Sequence, residues 1–529
     1  MRAKPGMGTD GKRPRRTIGA WPALCLCHLL PWPCFLWFWP APAGGQTLPG
    51  QTLLGQTGPA ATRQPRQAPI RRPLFRQVDP RRAAQAGIRQ LTGRHLTLYT
   101  DVPSSVAVDR LPALFDAAVP QWAEYFHLDQ SRLRDWHMQG YLMADRQRFA
   151  QLHLLPETNR RFENGYAQGH ELWLAEQPSD YYRRHLLLHE GTHGFMWTQL
   201  GGCGAPWYME GMAELFATHR WDGQRLLLSS MPASRVEVPM WGRIKLIQDA
   251  YRQGQAPALA DVLQLGHRGP MHTAQYAWCW ALVKLLDTNP HFQPAFRQLP
   301  KFAGRTDFQK HFARLFQAAW PELNLQWRSL VSTLEFGHDF ARMAIEQEPV
   351  RPLGQQGATR SIATDRGWQS TGWLLRAGQA YQLTSAGRFR IARSPAPPPS
   401  PSASHERKKQ KKGARAGATI HAALPPAEIW YSEPGGITLQ YHAGQPLGKL
   451  LAALVPLARV PGSVPAAPPG RPAPAHAGEG LWKPLAVGLA AALTPRQDGA
   501  LYLRVNESSA RLADNLGPIQ VTIKQRPPQ

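Results

Sequence analysis

Two histidines stand four residues apart inside an apolar stretch, His185-Leu-Leu-Leu-His189-Glu190-Gly-Thr-His193-Gly-Phe-Met-Trp-Thr. If the stretch is helical, residues four apart share a face, so His189 and His193 present two imidazoles to one point with Glu190 beside them. Neutral imidazoles suit zinc, and a catalytic zinc site takes three protein ligands and leaves a fourth place for water. A third ligand is therefore needed. Pro206-Trp-Tyr-Met-Glu210-Gly-Met-Ala-Glu214-Leu-Phe-Ala reads as a second helix, opened by proline and carrying two glutamates, again four apart. One can ligate while the other accepts a hydrogen bond from a ligating histidine and fixes its tautomer. We expect Glu210 as the ligand and Glu214 as the orienting group, with the reverse as the alternative. Glu190 is then the general base, and His185, one turn earlier, reads as a hydrogen-bonded core histidine.

These two segments resemble the gluzincin metallopeptidases, and in detail the exported zincin-like proteins whose second motif reads WYxEGxAE. The resemblance implies zinc bound by His189, His193 and Glu210, water activated by Glu190, and a peptide or protein substrate. It also implies that the strand Glu171 to Leu174 is the edge strand on which an extended substrate lies. Sixteen residues, 194 to 209, separate His193 from Glu210, fewer than the resemblance leads one to expect for thermolysin. An oxyanion needs a donor besides the metal. Tyr276 is the first candidate, then His272 and Tyr208, each of which also reads as a packing aromatic or a satisfied polar group.

At 529 residues, 43% of them apolar, the chain is long enough for two folded domains joined by linkers. Basic residues from Arg2 to Arg16 precede an apolar, Trp-rich run from Ile18 to Trp39, and Ala41-Pro42-Ala43 offers a cleavage site. Residues 1–43 thus read as a signal peptide or an N-terminal anchor of an exported protein, destined for the periplasm, the cell envelope or the medium. Cys203 and Cys279 are the cysteines outside that segment, either one disulfide or two buried thiols. The net charge of +25 gathers in the targeting segment, in residues 44–83, read as a disordered basic linker, and in the run Arg407 to Lys412. No zinc-finger, RNP or helix-turn-helix pattern accompanies it, which argues against sequence-specific nucleic-acid binding.

The expected fold class is α+β. Leu96 to Thr100, Tyr141 to Met143 and Glu171 to Leu174 read as strands, Val106 to Phe126 as a helix, and Asp180 to about Gly337 as helical. A zincin-like domain over 84–345, a small mixed sheet plus a helical subdomain, follows from this. Beyond Pro349 short alternating strands recur at Trp373, Ala380–Thr384, Gly436–Tyr441, Ala500–Val505 and Ile519–Ile523. They imply a jelly-roll-like β-sandwich over 357–527, behind a linker from Pro349 to Gly357. Two stretches poor in apolar residues, 394–417 and 461–480, read as disordered insertions.

This second domain resembles the calcium-dependent galactophilic lectins through Trp368-Gln-Ser-Thr-Gly372 and the loop Leu503 to Gly517. The resemblance implies calcium held by Glu507, the carbonyl of Arg511, Asp514 and Asn515. The alternative is a turn between two strands. Altogether the residues point to a monomeric, exported, zinc-dependent peptidase. Two rivals remain, a silent zincin-fold protein binding envelope glycan through its second domain, and a scaffold whose basic tails hold anionic surfaces.

Overall fold

The computed structural model describes residues 75–157, 162–267, 269, 271–393, 429–456, 480–481 and 483–526. The expected targeting segment, the linker up to residue 74 and the insertions 394–417 and 461–479 lie outside them. Five strands, β1 (Arg89–Thr92), β2 (Leu96–Thr100), β3 (Met138–Met143), β4 (Gly165–Gln168) and β5 (Glu171–Ala175), form one sheet in the order β1-β2-β3-β5-β4. β2, β3 and β5 are parallel, whereas β1 and β4 run antiparallel to their neighbours. Alternation divides the two faces. Leu96, Leu98, Leu142, Leu172 and Leu174 turn toward the main helical core. On the other face Tyr99, Tyr141, Trp173 and Tyr166 stack in succession, their ring centroids 5.5–5.9 Å apart, across four strands.

Two expectations need correction here. Glu171 to Ala175 is an inner strand, and the edge belongs to β4, because Gly169 at φ +61° permits the two-residue turn that folds β4 back along β5. The ordered chain also begins before residue 84. Phe75 meets His137 and His170 edge-on, Arg76 pairs with Glu171 and lies over Trp173, and α1 (Pro80–Gln85) is capped by Asp79. Arginine density suggested a linker, yet this arginine has a carboxylate and a ring to rest on.

The helix expected over 106–126 is two, α2 (Val106–Asp109) and α3 (Leu111–Tyr125). Pro112, at the second position of α3, has no amide with which to continue the α2 ladder, and the break at Arg110 lets that guanidinium donate to the Gly223 carbonyl at 2.6 Å. α4 (Arg146–Gln151) covers the aromatic face. The helical region then comprises α5 (Asp180–Leu200), α6 (Pro206–Ala217), α7 (Arg243–Arg252), α8 (Leu259–Val262), α9 (Thr273–Thr288), α10 (Gln293–Phe296), α11 (Phe308–Phe316) and α12 (Trp320–Thr333), with a short hairpin of β6 (Arg220–Trp221) and β7 (Leu226–Leu227). Among the described residues no helix is long and apolar enough to cross a membrane. Cys203 and Cys279 are both buried and both free, so the disulfide alternative does not hold.

The remaining strands are β8 (Arg351–Pro352), β9 (Ala358–Ala363), β10 (Gln369–Leu375), β11 (Tyr381–Ala386), β12 (Phe389–Arg393), β13 (Ile429–Ser432) and β14 (Ile437–His442). They continue with β15 (Gln445–Leu447), β16 (Leu450–Pro456), β17 (Leu485–Ala486), β18 (Ala490–Leu493), β19 (Gly499–Val505) and β20 (Pro518–Gln525). A five-stranded sheet, β17-β16-β19-β10-β8, faces a four-stranded one, β18-β11-β20-β9, across a core that includes Leu375, Leu383, Leu501, Leu503, Val521 and Ile523. The expected linker from Pro349 to Gly357 contains β8, paired in parallel with β10, so this half begins before residue 357.

The outer face of the five-stranded sheet is buried as well. Trp368, Leu451, Val455 and Tyr502 pack against Leu325 of α12 and Ile345, so the described residues form one compact unit of mixed α and β structure. Strands covered on both faces lose their alternation, which is why Leu450-Leu-Ala-Ala-Leu-Val gave no strand signal.

Glycine sets how closely the central helices approach. A Cβ on Gly211 of α6 would stand 2.3 Å from Val283 Cγ2 and 2.7 Å from the Cys279 carbonyl of α9. A carbonyl within a helix cannot give way as a side chain can. Gly211→Ala is expected to destabilise the fold by about 1–3 kcal/mol, read as a lower midpoint in thermal or urea unfolding. An unchanged midpoint would mean that α6 and α9 are not closely fitted here.

Candidate metal centre

α5 is 21 residues long, capped by the Ser179 hydroxyl at its start and by Gly201, at φ +75°, at its end. The short link Gly201 to Ala205 returns the chain, with Gly202 pressed against the Ala303 carbonyl and the Gly204 amide donating to it at 2.8 Å. α6 then crosses α5 with Pro206 at its first position. The crossing brings together the side chains that the two motifs singled out. His189 Nε2, His193 Nε2 and Glu210 Oε2 form a triangle whose three edges are each 3.2 Å.

Donors at 2.0–2.1 Å from a tetrahedral zinc would be about 3.3 Å apart, so the triangle fits such an ion. Glu210 Oε2 is buried without a hydrogen-bond partner, an expensive arrangement unless something electropositive meets it. Burial would raise the Glu210 carboxyl, but the two imidazoles hold it down to about 2. Burial would likewise lower His189, but Glu210 and Glu214 carry it up to about 9. The cluster calls for positive charge, which a proton or a divalent cation can supply.

Glu214 occupies the orienting place. Its Oε1 lies 3.5 Å from His189 Nδ1, the nitrogen turned away from the triangle. Sequence reasoning missed what holds it there. The Arg243 guanidinium donates to both Glu214 oxygens, at 2.8 and 3.0 Å, and Trp241 Nε1 lies 3.4 Å from Oε2. Against the cost of burial, Arg243 keeps the Glu214 carboxyl well below its ordinary range. Nothing in Trp241-Gly-Arg243 announces this in advance, because the pairing is between residues 29 apart in sequence. His185 is buried, as expected of a core histidine, and stacks on Tyr182, but its Nε2 lies 3.6 Å from Glu214 Oε2 and neither ring nitrogen has a hydrogen-bond partner, so the expected hydrogen bond is not formed.

Glu190 is buried on the side of α5 that faces the edge strand, and burial raises its carboxyl pKa. It fits there because Gly165 of β4 has no side chain: a Cβ at that position would lie 2.4 Å from Glu190 Oε1. Sequence reasoning did not single out this glycine. Tyr276, at the start of α9, is half-buried with its ring centroid 6.1 Å from that of His189, and burial followed by Glu210 and Glu190 raises its hydroxyl pKa. Of the other two donor candidates, Tyr208 is a core residue packed on Phe296 and Phe308, and His272 is the exposed residue before α9.

The residues singled out for calcium lie elsewhere, where the two halves meet. The Ser508 and Ser509 hydroxyls each donate to Glu335 Oε1 at 2.7 Å, and the Asp339 amide donates to the Ser509 carbonyl. Glu507 Oε1 accepts from the Ser508 amide and the Arg511 amide donates to the Ser508 carbonyl. The Asp514 carbonyl accepts from Arg390, and Asn515 Nδ2 donates to the Thr364 carbonyl. Among the described residues, the clusters of three or more His, Cys, Asp or Glu side chains able to hold an ion are His189/His193/Glu210 and His185/His189/Glu214, and neither includes Glu507 or Asp514.

No family model and no curated protein matches the chain. Among solved structures it is similar to one described as "EclA N-terminal domain; PllA-like lectin", with 14% identity and a TM-score of 0.17, over 32% of this chain and 95% of that one.

The loop between the halves makes stability depend on pH. Burial, then the charge of Asp514, pushes the Glu507 carboxyl up to about 7. A carboxyl raised in the folded state stabilises the fold below its unfolded value near ~4.3, and loses that contribution as pH rises through the folded value. Glu507→Gln keeps the neutral form at every pH. It is expected to melt a few degrees above the wild type at pH 8 and at the same temperature at pH 4. A variant less stable than the wild type at pH 8 would show that the carboxylate is needed there.

Proposed function

We propose that the chain is a zinc-dependent peptidase, with His189, His193 and Glu210 as ligands and Glu190 as general base. The observation that carries this reading is the 3.2 Å triangle of donors, set beside a buried carboxylate that faces the outermost strand of a sheet. The fold that goes with it is zincin-like in the first half and a β-sandwich in the second. Export, as residues 1–43 suggest, belongs to the same proposal.

When bound, zinc supplies a Lewis acid that polarises the scissile carbonyl and acidifies water. Glu190 accepts the proton of the attacking water and returns it to the leaving amine, a double task suited to a carboxyl whose pKa burial has raised. Glu214, clamped by Arg243, holds the His189 ring through Nδ1 and keeps Nε2 free to ligate. Tyr276, with its hydroxyl kept protonated, is the donor for the oxyanion. The outer side of β4 offers main-chain groups to an extended peptide, whose scissile bond then lies over Glu190 beside Gly165.

Glu190→Gln is expected to retain zinc while hydrolysis of a peptide library falls by at least about 100-fold. Turnover at the wild-type rate would remove Glu190 from the mechanism. Glu210→Ala and Glu214→Ala separate ligand from orienting group. Loss of the orienting carboxylate should weaken zinc by about 10–100-fold, and loss of the ligand by considerably more. Were a metal titration to give the opposite order, the two roles would have to be exchanged.

A further inference from the structure

Fourteen tryptophans lie among the described residues, and Trp197 alone among them is exposed, with 59% of its surface open to solvent. Its place on α5 gives that exposure a meaning. Trp197 follows His193 by four residues and Gly194 by three, so its side chain projects between the directions of those two positions. His193 points to the donor triangle, where its Nε2 stands 3.2 Å from Glu210. Gly194 points to the sheet, where a Cβ would meet Met138 and, at 3.4 Å, the carbonyl of Gly169 in the β4–β5 turn. On α5 Trp197 therefore stands between the side that meets the sheet and the side that meets the triangle, one turn beyond the last histidine. Helical side chains lean toward the N-terminus, which tilts the indole back over that turn and toward His193.

We propose that Trp197 is a substrate-binding residue that selects a bulky apolar or aromatic side chain on the peptide; the inference rests on the peptidase reading above. Four helical residues rise about 6 Å, and an extended peptide advances about 3.3 Å per residue. The selected side chain thus belongs to the second residue from the scissile bond, on the side toward the C-terminal end of α5. An indole left in water gains on contact with another ring or a branched aliphatic group, and such a contact discriminates against alanine by about 10- to 100-fold.

The test measures binding and turnover separately. Peptides carrying Phe or Ala at randomised positions are titrated against zinc-loaded Glu190→Gln protein, with and without Trp197→Ala or Trp197→Phe, and the same peptides are offered to the zinc-loaded protein with Glu190 intact. The expected result is a Phe preference of tenfold or more at one position, abolished by Trp197→Ala, largely kept by Trp197→Phe, with zinc content and melting temperature unchanged. A preference that survives Trp197→Ala, or no preference at all, overturns the inference, even if hydrolysis proceeds. If the intact protein cleaves nothing while Phe-selective binding still depends on Trp197, the peptidase reading fails and the assignment of Trp197 as a peptide-binding residue stands.

Discussion

Burying two carboxylates on one helix face is the condition from which the rest of the first half follows. Glu210 and Glu214 lie one turn apart on α6, beneath α5 and out of water, and an uncompensated buried carboxylate costs several kcal/mol. The two are compensated differently. Glu214 has a fixed cation in Arg243, both of whose donating nitrogens it engages, so its charge is permanent and its task is to hold. Glu210 has imidazole nitrogens and an unsatisfied oxygen, so its partner can be exchanged. On the proposed reading, the paired carboxylate behind the histidine positions it and the exchangeable one in front of it binds the metal.

The close approach of α5, α6 and α9 serves that condition. Gly211 of α6 lies against α9, and Gly191 of α5 lies against Phe115 and Trp122 of α3, while side chains of α5 and α6 meet at 3.2 Å. Gly165 does the same for the sheet by making room for Glu190. Where the two halves meet, the five-stranded sheet is covered on both faces, and Ser508 and Ser509 of the loop from Glu507 to Asn515 contact Glu335 and Asp339.

What the sequence revealed was local. Pairs four residues apart on a helix, His189 with His193 and Glu210 with Glu214, carry their geometry in their spacing, because the helical period leaves no freedom. Leu96 to Thr100 was legible for the same reason, its alternation matching the observed burial. What stayed hidden depended on partners distant in the chain. Arg243 is an ordinary basic residue until Glu214 is placed over it, and Gly165 an ordinary glycine until Glu190 fills the space beside it. The edge position went to β4 rather than β5 because strand order is a property of the sheet and not of any one strand. β16 escaped because cover on both faces removes the period that marks a strand. Trp197 could not be told from a core tryptophan until its neighbours on α5 had been given directions.

Zinc in the triangle is the central claim, and X-ray absorption at the zinc edge of the zinc-loaded protein tests it most directly. One zinc per chain is expected, surrounded by two imidazole nitrogens and carboxylate or water oxygens at ~2.0–2.1 Å. No sulfur should appear, although Cys203 Sγ stands 3.7 Å from the His193 carbonyl. Failure to take up one equivalent of zinc, or scattering from sulfur at ~2.3 Å, would contradict it.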